Sequence, residues 1–585
     1  MSSSNRFPLF AVAILATSIS AQAYVIGTNS SGNTAKWNLL TTQAGISTNV
    51  VDTGTHAIRF YLASDGFSTN NATAELNAVR DAFNQWQAIP NTYVKFEEAG
   101  LINPPVDVNT SDNTNVVYWT KSSTLVNGGR NDIGGALGVT FLSYGVPNNI
   151  IQQADIVFNG VDYNWFTDYF SGDTTDVFVE GVAQHETGHF IGLEHSPLGT
   201  ATMLWEGGDG VSVQVGVSSD DIYAVRYLYP SGLTNAGALK GTITKGGSPV
   251  LGAAVFFRNS AGNTVAGTVS DASGNYLAAS LPAGSYQVRV SPLDSTNAAE
   301  TMVTGPNIKS TYAKADTSFL PTTNYTATVA NGVTNTLNMT VTAGSLPFHI
   351  TSIRFPTPSP FSYNWAPLPT SMVVGQSNYT IGVVSKDLPT SGATLSITGD
   401  GLTLGSPTFD PNLDLAGDNF ISVPISVSSN ATPGTRDFIV TQGTNVVYAN
   451  GFLEIQPAKP DNNFDGLDDT FQRHYFSPWT AAQAGPNADP DLDGANNYSE
   501  YIAGTDPTNP NSVLKMTGVS RTNSTATVRW QAVVGKKYQL SYRTNLKAGS
   551  WTNSGSVFTA NSTNSQTTDA VGTNALRFYR VQVLP

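Results

Sequence analysis

The first third of the chain alternates helix-like and strand-like stretches of apolar residues. Residues 74–88 place apolar side chains at the 3.6-residue spacing of an amphipathic helix, and these are Leu76, Val79, Phe83 and Trp86. Short apolar runs predict strands at residues 57–62, 94–97, 115–119, 135–144 and 154–159. A second long helix is expected to begin after Asp176, a favourable N-cap, and to run into His189. The pattern predicts an α+β domain over residues 24–233.

Beyond about residue 238 the pattern changes to short strands separated by glycine-rich turns, which is typical of all-β sandwich domains. Three such domains are predicted, over residues 238–343, 347–457 and 513–585, with an acidic segment at 461–512. In the C-terminal domain the clearest strands are expected at residues 526–531, 537–542 and 576–583. The predicted fold class is therefore multidomain, with an α+β domain followed by several all-β sandwiches.

Composition agrees with turn-rich β domains and narrows the possible partners. Only 12% of the 585 residues are charged, whereas the chain holds 54 glycines and 31 prolines. The net charge is −14, and no run of Lys and Arg exceeds two residues. A nucleic-acid partner or an anionic membrane surface is therefore not expected. The carboxylates are instead candidates for binding calcium.

The first 23 residues have the features of a secretory signal peptide. Arg6 supplies a positive charge, residues 7–19 form an apolar stretch, and residues 21–23 (AQA) form a small-x-small cleavage site. A short membrane anchor is the alternative, but the apolar stretch is shorter than the ~20 residues that a membrane span needs. We therefore expect a secreted protein without a transmembrane segment, beginning near Tyr24 after processing.

The chain contains no cysteine. An exported protein without disulfides has to be stabilised by core packing and metal ions, which is more typical of bacterial secreted enzymes than of animal ones. Bacterial export is therefore expected. It also follows that no thiolate is available as a metal ligand.

Three of the six histidines lie within eleven residues, in the sequence HETGHFIGLEH of residues 185–195. On a helix His185 and His189 are separated by about 6 Å along the axis and ~40° around it, so both imidazoles can reach one ion. Gly192 is expected to end the helix in a backbone conformation that other residues resist, which returns His195 as the third ligand. Three imidazoles leave one position open for water, as in a catalytic zinc site. One catalytic zinc ion is predicted.

Glu186 follows the first of these histidines and projects about 100° round the helix from it. It can thus reach a zinc-bound water without ligating the metal, and is predicted to act as general base in peptide-bond hydrolysis. One alternative is a helix whose histidines only form hydrogen bonds within the core. Without a metal ion, however, some polar atoms of these buried side chains would stay unpaired, which would cost stability. The other is a folded zinc site that no longer turns over, and the presence of Glu186 argues against it.

The motif with its third histidine resembles the metzincin clan of zinc metallopeptidases, and the residues after it resemble the matrixin branch. Ser196 follows the last ligand, and Met203 in ATMLW resembles the methionine of the turn beneath the metal ligands. Residues 218–230, SSDDIYAVRYLYP, resemble the closing helix. The resemblance implies a matrixin-like α+β fold and metalloendopeptidase activity. It also implies that Asp220 and Asp221 begin the closing helix and tie it to the Met203 turn.

Three departures from the matrixin pattern carry expectations of their own. Only about a dozen residues separate the predicted cleavage site from Trp37, so neither a propeptide nor a cysteine switch is expected. No histidine lies between His56 and His185, so the second, structural zinc of many animal members is not expected. The specificity loop between Met203 and Asp220 matches no recognised pattern and leaves the substrate pocket undefined.

Two of the β domains also carry resemblances. Residues 241–290, which include GTITKGGSPVLGAAVFF and SDASGNYLAASLPAGSYQVRV, resemble the carboxypeptidase regulatory-like, transthyretin-like sandwich. Residues 347–457, with the stretch ATPGTRDFIV, resemble a bacterial immunoglobulin-like sandwich. Neither resemblance implies an activity.

Residues 489–500, DPDLDGANNYSE, fit the twelve-residue EF-hand loop. The expected calcium ligands are Asp489, Asp491, Asp493, Asn497 and Glu500, with Gly494 at the sharp turn. A weaker copy offers Asp461, Asn463 and Asp465, but its twelfth residue, Gln472, lacks a carboxylate. With the EYIAGTDPTNP that follows, the pair resembles thrombospondin type 3-like and dockerin-like calcium repeats. A calcium-stiffened spacer is expected, and a soluble acidic linker is the alternative.

Together these features predict a secreted zinc-dependent metalloendopeptidase that cleaves extracellular proteins. Its substrate is expected to be a protein or peptide, and its β domains are expected to bind a polymer, an extracellular matrix or a cell surface. The alternative is an extracellular adhesion protein in which the protease domain is vestigial. The joint presence of three histidines, Glu186, Gly192 and Met203 favours the enzyme.

Overall fold

The computed structural model describes residues 26, 33–40, 47–145, 148–173, 175–208, 210, 215–293, 314–322, 325–358, 364–412, 417–572 and 576–584. The predicted signal peptide, residues 1–23, lies outside these ranges. Contacts within the chain divide it into two units, residues 1–463 and 464–585. Within the ranges described, no helix has the length and apolar character needed to cross a membrane.

The first domain is built on a five-stranded sheet and three helices. Its strands are β1 (Ile58–Ala63), β2 (Phe96–Ile102), β3 (Val116–Thr120), β4 (Leu125–Val126), β5 (Asn131–Asp132), β6 (Gly138–Gly145), β7 (Ile150–Asn159), β8 (Trp165–Phe166) and β9 (Val177–Phe178). The helices are α1 (Ala72–Ala88), α2 (Val179–Phe190) and α3 (Ser219–Leu228). The sheet order is β2-β1-β3-β7-β6, parallel except for the edge strand β6, which runs antiparallel to β7. This architecture confirms the predicted α+β class.

Helix α1 has the predicted amphipathic character. Its apolar face is buried in the domain core and carries Leu76, Val79, Phe83 and Trp86. Phe83 stacks on Phe60 of β1 with ring centroids 4.1 Å apart. Trp86 donates from Nε1 to the carbonyl oxygen of Gln184 in α2 at 2.8 Å. Helix α1 therefore packs directly against α2 and fixes it on the sheet.

Several predicted boundaries differ from the structure; strand β7, for example, begins at Ile150 and not at residue 154. The strand predicted at residues 94–97 begins at Phe96 and continues to Ile102. The prediction of Asp176 as N-cap is wrong, because β9 pairs with β8 and α2 begins only after that strand, at Val179. The pairing of two short strands thus overrides the local capping preference of an aspartate.

The second domain consists of two sheets that share a core. Its strands are β10 (Ala236–Lys245), β11 (Ser248–Pro249), β12 (Ala253–Arg258), β13 (Thr264–Val269), β14 (Asn275–Pro282), β15 (Gly284–Pro292), β16 (Phe319–Leu320), β17 (Tyr325–Val329), β18 (Thr334–Thr336) and β19 (Met339–Ala343). One sheet has the order β11-β10-β19-β16, with β14 and β18 also paired to β10. The other has the order β13-β12-β15-β17. Two such sheets fit the predicted sandwich.

The third domain also has two sheets. Its strands are β20 (Ser352–Pro358), β21 (Trp365–Ala366), β22 (Thr370–Val373), β23 (Tyr379–Ser385), β24 (Thr394–Ile397), β25 (Leu402–Leu404), β26 (Thr408–Asp410), β27 (Asn419–Val427), β28 (Gly434–Gln442) and β29 (Asn445–Gln456). The sheets have the orders β21-β20-β23-β27-β25, with β26 on β27, and β22-β29-β28-β24. Alternate residues of β23 and β27 supply its core, which is the pattern of a sandwich.

Buried side chains connect the three domains of the first unit. The core of the first domain continues into the second, so that residues of both form one cluster. Leu198 and Ala201 of the first domain are buried in the core of the third. Arg289 of β15 and Asp437 of β28 form a buried ion pair, with Nη2 and Oδ2 3.0 Å apart. The three domains therefore pack as parts of one unit.

The second unit contains residues 464–512 of the acidic segment and the C-terminal β domain. Its helices are α4 (Asp469–Tyr475), α5 (Asn497–Ala503) and a 3-10 turn at Ala482–Ala484. Its strands are β30 (Met516–Thr522), β31 (Thr525–Gln531), β32 (Lys537–Arg543), β33 (Thr552–Thr559), β34 (Asn564–Ala570) and β35 (Phe578–Leu584). They form two three-stranded sheets, β30-β31-β34 and β33-β32-β35. Lys536 donates from Nζ to the last turn of α5, at the carbonyl oxygen of Ile502, and joins the two parts.

Candidate active site and metal centre

Three imidazoles converge where α2 ends and the chain turns back. His185 and His189 are carried by α2 and His195 by the following loop, and all three side chains are buried. The Nε2 atom of His195 lies 3.3 Å from that of His185 and 3.2 Å from that of His189. Tetrahedral zinc with Zn–N bonds of about 2.0–2.1 Å places its ligand nitrogens about 3.3–3.4 Å apart. The structure therefore brings the three predicted ligands together at the spacing that zinc requires.

Hydrogen bonds to two of the rings determine which nitrogen faces the cluster. Nδ1 of His185 lies 2.9 Å from the carbonyl oxygen of Thr202, and Nδ1 of His189 lies 2.7 Å from that of Leu193. Because a carbonyl oxygen only accepts, both Nδ1 atoms carry the hydrogen and both Nε2 atoms present lone pairs to the cluster. Converging lone pairs repel one another unless a cation lies between them. The donor set is thus suited to a metal ion.

Gly192 and Met203 take the positions predicted for them, at the turn after α2 and in contact with α2. Gly192 has a φ of +99°, and a Cβ atom there would lie 2.3 Å from the carbonyl oxygen of Ala35. Only glycine fits this turn, which leads the chain back to His195. Met203 is fully buried. Its Sδ atom lies so close to Gly188 of α2 that a Cβ atom on that residue would be only 2.2 Å away. Met203 therefore packs directly against α2 within the zinc motif.

Glu186, next to His185 in α2, is fully buried and is held by the edge strand β6. Thr140 of β6 donates from Oγ1 to Oε2 of Glu186 at 2.6 Å. The other oxygen, Oε1, has no hydrogen-bond partner among the residues described. Burial raises the pKa of Glu186 to about 8, and the hydrogen bond from Thr140 opposes this shift. Such a carboxylate can accept and return a proton near neutral pH.

Several residues that hold the site in place were not found from the sequence. Tyr229 donates its hydroxyl to the carbonyl oxygen of Ile191 at 2.7 Å, and Trp37 donates from Nε1 to that of Phe190 at 2.7 Å. These bonds satisfy carbonyl groups at the end of α2 that lack helical partners. Thr140 was likewise not singled out. The partners lie 38, 153 and 46 residues apart in sequence, so no local signal reveals them.

The acidic pair at the start of α3 is bonded to the Met203 turn. Asp221 accepts at Oδ2 from the backbone N–H of Met203 at 3.3 Å and from the hydroxyl of Ser218 at 2.7 Å. Asp220 accepts at Oδ2 from the hydroxyl of Ser196 at 2.6 Å. Burial raises the pKa of Asp221 to about 6, while burial and then repulsion from Asp221 raise that of Asp220. The pair joins α3 to both ends of the loop after His195.

The acidic loop of residues 489–500 brings together three of its five predicted calcium ligands. Asp489, Asp491 and Asp493 each place a carboxylate oxygen within 4.8 Å of the others. Glu500 lies outside that group but is fully buried. The pKa of Glu500 is raised to about 7, first by burial and further by repulsion from the three aspartates. Clustered carboxylates of this kind repel one another until a cation binds.

The remaining predicted calcium ligands have protein partners or lie at the division between units. Asn497 donates from Nδ2 to two backbone carbonyl oxygens at 2.9 Å. Asp465 accepts at Oδ2 from the side chain of Gln472 at 2.7 Å. Asp461 and Asn463 belong to the first unit and Asp465 to the second. Calcium binding by these three residues stays a prediction.

The protonation of the three histidines leads to a testable pH dependence. Burial, and then repulsion between the rings, holds the pKa of His185 and His195 well below the usual value of 6.5. Burial lowers the pKa of His189 to about 4. The neutral form, which binds metal, therefore persists well below pH 6.5 in the folded chain. We expect zinc affinity to change little from pH 7 to about pH 5 and to fall once the pH drops below about 4.

A competition titration with a fluorescent zinc chelator measures this affinity. A zinc affinity that already falls steeply as the pH drops through 6.5 would contradict the lowered pKa values of the three buried histidines.

Comparison with known families agrees with the geometry of the site. The family described as Matrixin matches residues 55–230, which contain the three histidines. The carboxypeptidase regulatory-like domain family matches residues 238–345. Residues 55–230 thus form a metalloendopeptidase domain of the matrixin type, followed by β domains. No match was found among curated protein sequences.

Several solved structures are similar to parts of this chain. The major pilin subunit BcpA of Bacillus cereus is 11% identical, over 38% of this chain and 69% of that chain, with a TM-score of 0.13. The Bacillus anthracis TIE protein is 10% identical, over 38% and 49% of the two chains, with a TM-score of 0.14. The full-length major pilin SpaD of Corynebacterium diphtheriae is 10% identical, over 57% and 80%, with a TM-score of 0.14. These TM-scores are too low to relate the function of this chain to theirs.

Proposed function

We propose that the chain is a secreted, zinc-dependent endopeptidase that hydrolyses peptide bonds of extracellular proteins, with Glu186 as general base. The observation that carries the proposal is the buried group of three Nε2 atoms, with one oxygen of a buried glutamate left without a protein partner in the described part of the chain. A helix that needed these residues only for packing would leave their polar atoms unsatisfied at a cost in stability.

The residues of the site divide the reaction between them. His185, His189 and His195 would hold zinc, which would supply Lewis-acid polarisation of the scissile carbonyl and would lower the pKa of the attacking water. Glu186 takes a proton from the attacking water and returns it to the leaving amine. Thr140 orients Glu186 by its hydrogen bond to Oε2. No covalent intermediate with the chain is required.

The edge strand β6 supports an extended peptide as substrate. Within the described part of the sheet, β6 pairs only with β7. A peptide can add to such an edge as a further strand, with main-chain hydrogen bonds supplying affinity independent of sequence. Because Thr140 of β6 contacts Glu186, a peptide bound along β6 lies close to the general base.

Secretion is the part of the proposal that rests on sequence features alone. Arg6, the apolar stretch at 7–19 and the AQA triplet at 21–23 match a signal peptide. The absence of cysteine is compatible with export from a bacterium. N-terminal sequencing of the protein from culture medium should give a chain that begins near Tyr24.

A chelation experiment tests the proposed activity. The full chain is incubated with casein or gelatin in the presence and absence of a zinc chelator, and zinc is then restored. We expect cleavage that stops on chelation and returns to its original rate with about one equivalent of zinc. Absence of cleavage in the zinc-loaded protein would favour the adhesion protein with a vestigial protease domain.

Calcium binding at residues 489–500 is also part of the proposal. It is supported by the three clustered aspartates and by the raised pKa of Glu500. The bound ion would stabilise the acidic segment beside the C-terminal β domain and make it a rigid spacer. The β domains would then present the peptidase to a polymer or cell surface.

Replacing Asp493 by alanine is expected to abolish stabilisation of the second unit by calcium. In the unchanged chain, calcium at about 100 times its dissociation constant should stabilise this unit by about 2–3 kcal/mol. Calorimetry with and without calcium measures the shift of the corresponding transition. As a control, Asp506→Ala removes an aspartate of the same segment outside the loop and should leave the calcium shift unchanged. Equal melting of the unchanged chain with and without calcium would count against the site.

A further inference from the structure

We propose that the second and third domains hold the loop of residues 196–202 and through it position the zinc ligands His195 and His185. The inference rests on the proposed zinc peptidase function of the first domain. Thr435 and Asn450 of the third domain are then positioning residues for the reaction. The two β domains are accordingly part of the catalytic unit, in addition to any binding role of their own.

His195 is the zinc ligand that receives least support through its own side chain. The rings of His185 and His189 are fixed through Nδ1 by carbonyl oxygens. Nδ1 of His195 is buried and has no hydrogen-bond partner in the part of the chain that is described. This ring is also carried by a loop and not by a helix. The backbone next to His195 therefore has to set the direction of its Nε2 atom.

The loop of residues 196–202 also serves the first ligand. The carbonyl oxygen of Thr202 accepts from Nδ1 of His185 at 2.9 Å. At the other end, Ser196 donates its backbone N–H to the carbonyl oxygen of Met203 at 2.8 Å. The loop is thus closed on itself between His195 and Met203. Any displacement of it moves two of the three zinc ligands together.

The third domain contacts this loop at three consecutive residues. Leu198 is fully buried in the core of the third domain. Gly199 donates its backbone N–H to the carbonyl oxygen of Asn450 at 2.9 Å. The hydroxyls of Thr200 and Thr435 lie 2.8 Å apart, although these residues are 235 positions apart in sequence. The third domain therefore fixes the loop by packing and by two hydrogen bonds.

The contact leaves no space for the loop to shift towards the third domain. A Cβ atom on Gly199 would lie 2.4 Å from the ring of Phe452 in β29. The backbone of the loop thus lies directly on an aromatic side chain that is itself fully buried. Packed interiors resist displacement because each shift creates either overlap or a cavity.

The second domain holds the loop from the other side through Asp220. This buried carboxylate accepts at Oδ2 from the hydroxyl of Ser196 at 2.6 Å. At Oδ1 it accepts from the backbone N–H of Gly267 in β13 at 2.7 Å. One side chain of the first domain therefore bonds both to the residue after His195 and to the second domain. A connection that only spaced the domains would need neither of these bonds.

Substitutions in the full chain test the proposal without removing a domain. Thr435→Val removes the hydroxyl that meets Thr200 and nearly preserves side-chain volume. Thr380→Val is the matched control, since Thr380 is a buried threonine of the same domain and lies in β23, which belongs to the other sheet. Leu198→Ala is the stronger variant, because it empties the pocket in which the loop is anchored. None of these residues touches the metal or the base.

The measurement is the rate at which zinc passes from the protein to excess chelator. We expect Thr435→Val to release zinc ~3- to 10-fold faster than the unchanged chain, and Leu198→Ala at least ~10-fold faster. Thr380→Val should match the unchanged chain in release rate. The visible spectrum of the Co²⁺-substituted protein should change in the first two variants and not in the control.

Both readouts work without turnover, so they separate this inference from the peptidase proposal. If the unchanged chain binds zinc but cleaves no substrate, the proposed function fails. The zinc release rates of the variants still decide whether the second and third domains position the zinc ligands. If Thr435→Val and Leu198→Ala fold and release zinc at the rate of the unchanged chain, the inference is overturned. Equal acceleration by Thr435→Val and Thr380→Val would also overturn it, because the effect would then be one of general stability. Should Leu198→Ala fail to fold, Thr435→Val and its control remain decisive.

Discussion

Replacing Glu186 by glutamine is expected to lower kcat for a peptide substrate by about 10²–10⁴-fold while zinc content stays at that of the unchanged chain. Glutamine keeps the shape of the side chain, and its carbonyl oxygen can still accept from Oγ1 of Thr140. Its amide does not take up a proton, so the attacking water loses its base. KM is expected to change little, because Glu186 acts on the water and not on the bound peptide.

Steady-state kinetics with metal analysis of the same samples measures this effect. Glu194→Gln provides a matched control, since Glu194 is a buried glutamate of the same motif whose pKa burial also raises to about 8. Its charge adds to the effect of burial in raising the pKa of Tyr144, whereas Thr140 donates its hydroxyl to Glu186. This control should retain kcat within a few-fold. A Glu186→Gln chain as active as the unchanged one, at equal zinc content, would exclude the role of general base.

The zinc ligands were predictable because the motif is local. His185, Glu186 and His189 lie within five residues. Helix geometry alone places the two histidines on one face and Glu186 about 100° round the helix from His185. Gly192 then supplies a turn whose φ of +99° only glycine adopts readily. The return of His195 follows from that turn. A short stretch of sequence thus specifies the donor set without knowledge of the remaining fold.

The environment of the base was not predictable in the same way. Thr140 meets Glu186 only because β6 lies at the edge of the sheet in one register against β7, where Thr140 pairs with Ile156. A shift of one residue would turn Thr140 to the other face. The N-cap of α2 failed for a related reason, since the pairing of β8 with β9 decided the start of the helix over Asp176.

The β domains show the same division between local and distant information. Strand positions such as residues 537–542, observed as Lys537–Arg543, follow from alternation and turn residues. Contacts such as that between Thr200 and Thr435 join residues 235 positions apart. Nothing in either stretch of sequence indicates that the two residues are in contact. The sequence therefore suggests appended binding modules, whereas the structure places two of them against the loop that follows the third zinc ligand.

Removal of Asp437 is expected to have the largest effect on stability. This buried carboxylate accepts at Oδ2 from Nη2 of Arg289 at 3.0 Å and from the hydroxyl of Thr264 at 2.9 Å, and at Oδ1 from the N–H of Gly451 at 2.9 Å. Asp437→Leu leaves the guanidinium of Arg289 buried without a counter-charge. We expect the free energy of unfolding of the first unit to fall by about 3–5 kcal/mol. Urea denaturation followed by tryptophan fluorescence measures the change.

A second substitution distinguishes the buried charge from the loss of packing. The double variant Asp437→Leu with Arg289→Met removes both charges and should regain most of the lost stability, because a buried ion pair often contributes little more than apolar residues of similar volume. Asp65→Ala breaks the exposed pair with Lys121, whose side chains are 35% and 31% exposed, and should cost less than about 1 kcal/mol. If the double variant were as unstable as Asp437→Leu alone, the loss of stability would come from the hydrogen bonds of Asp437 to Thr264 and Gly451 and not from the uncompensated guanidinium.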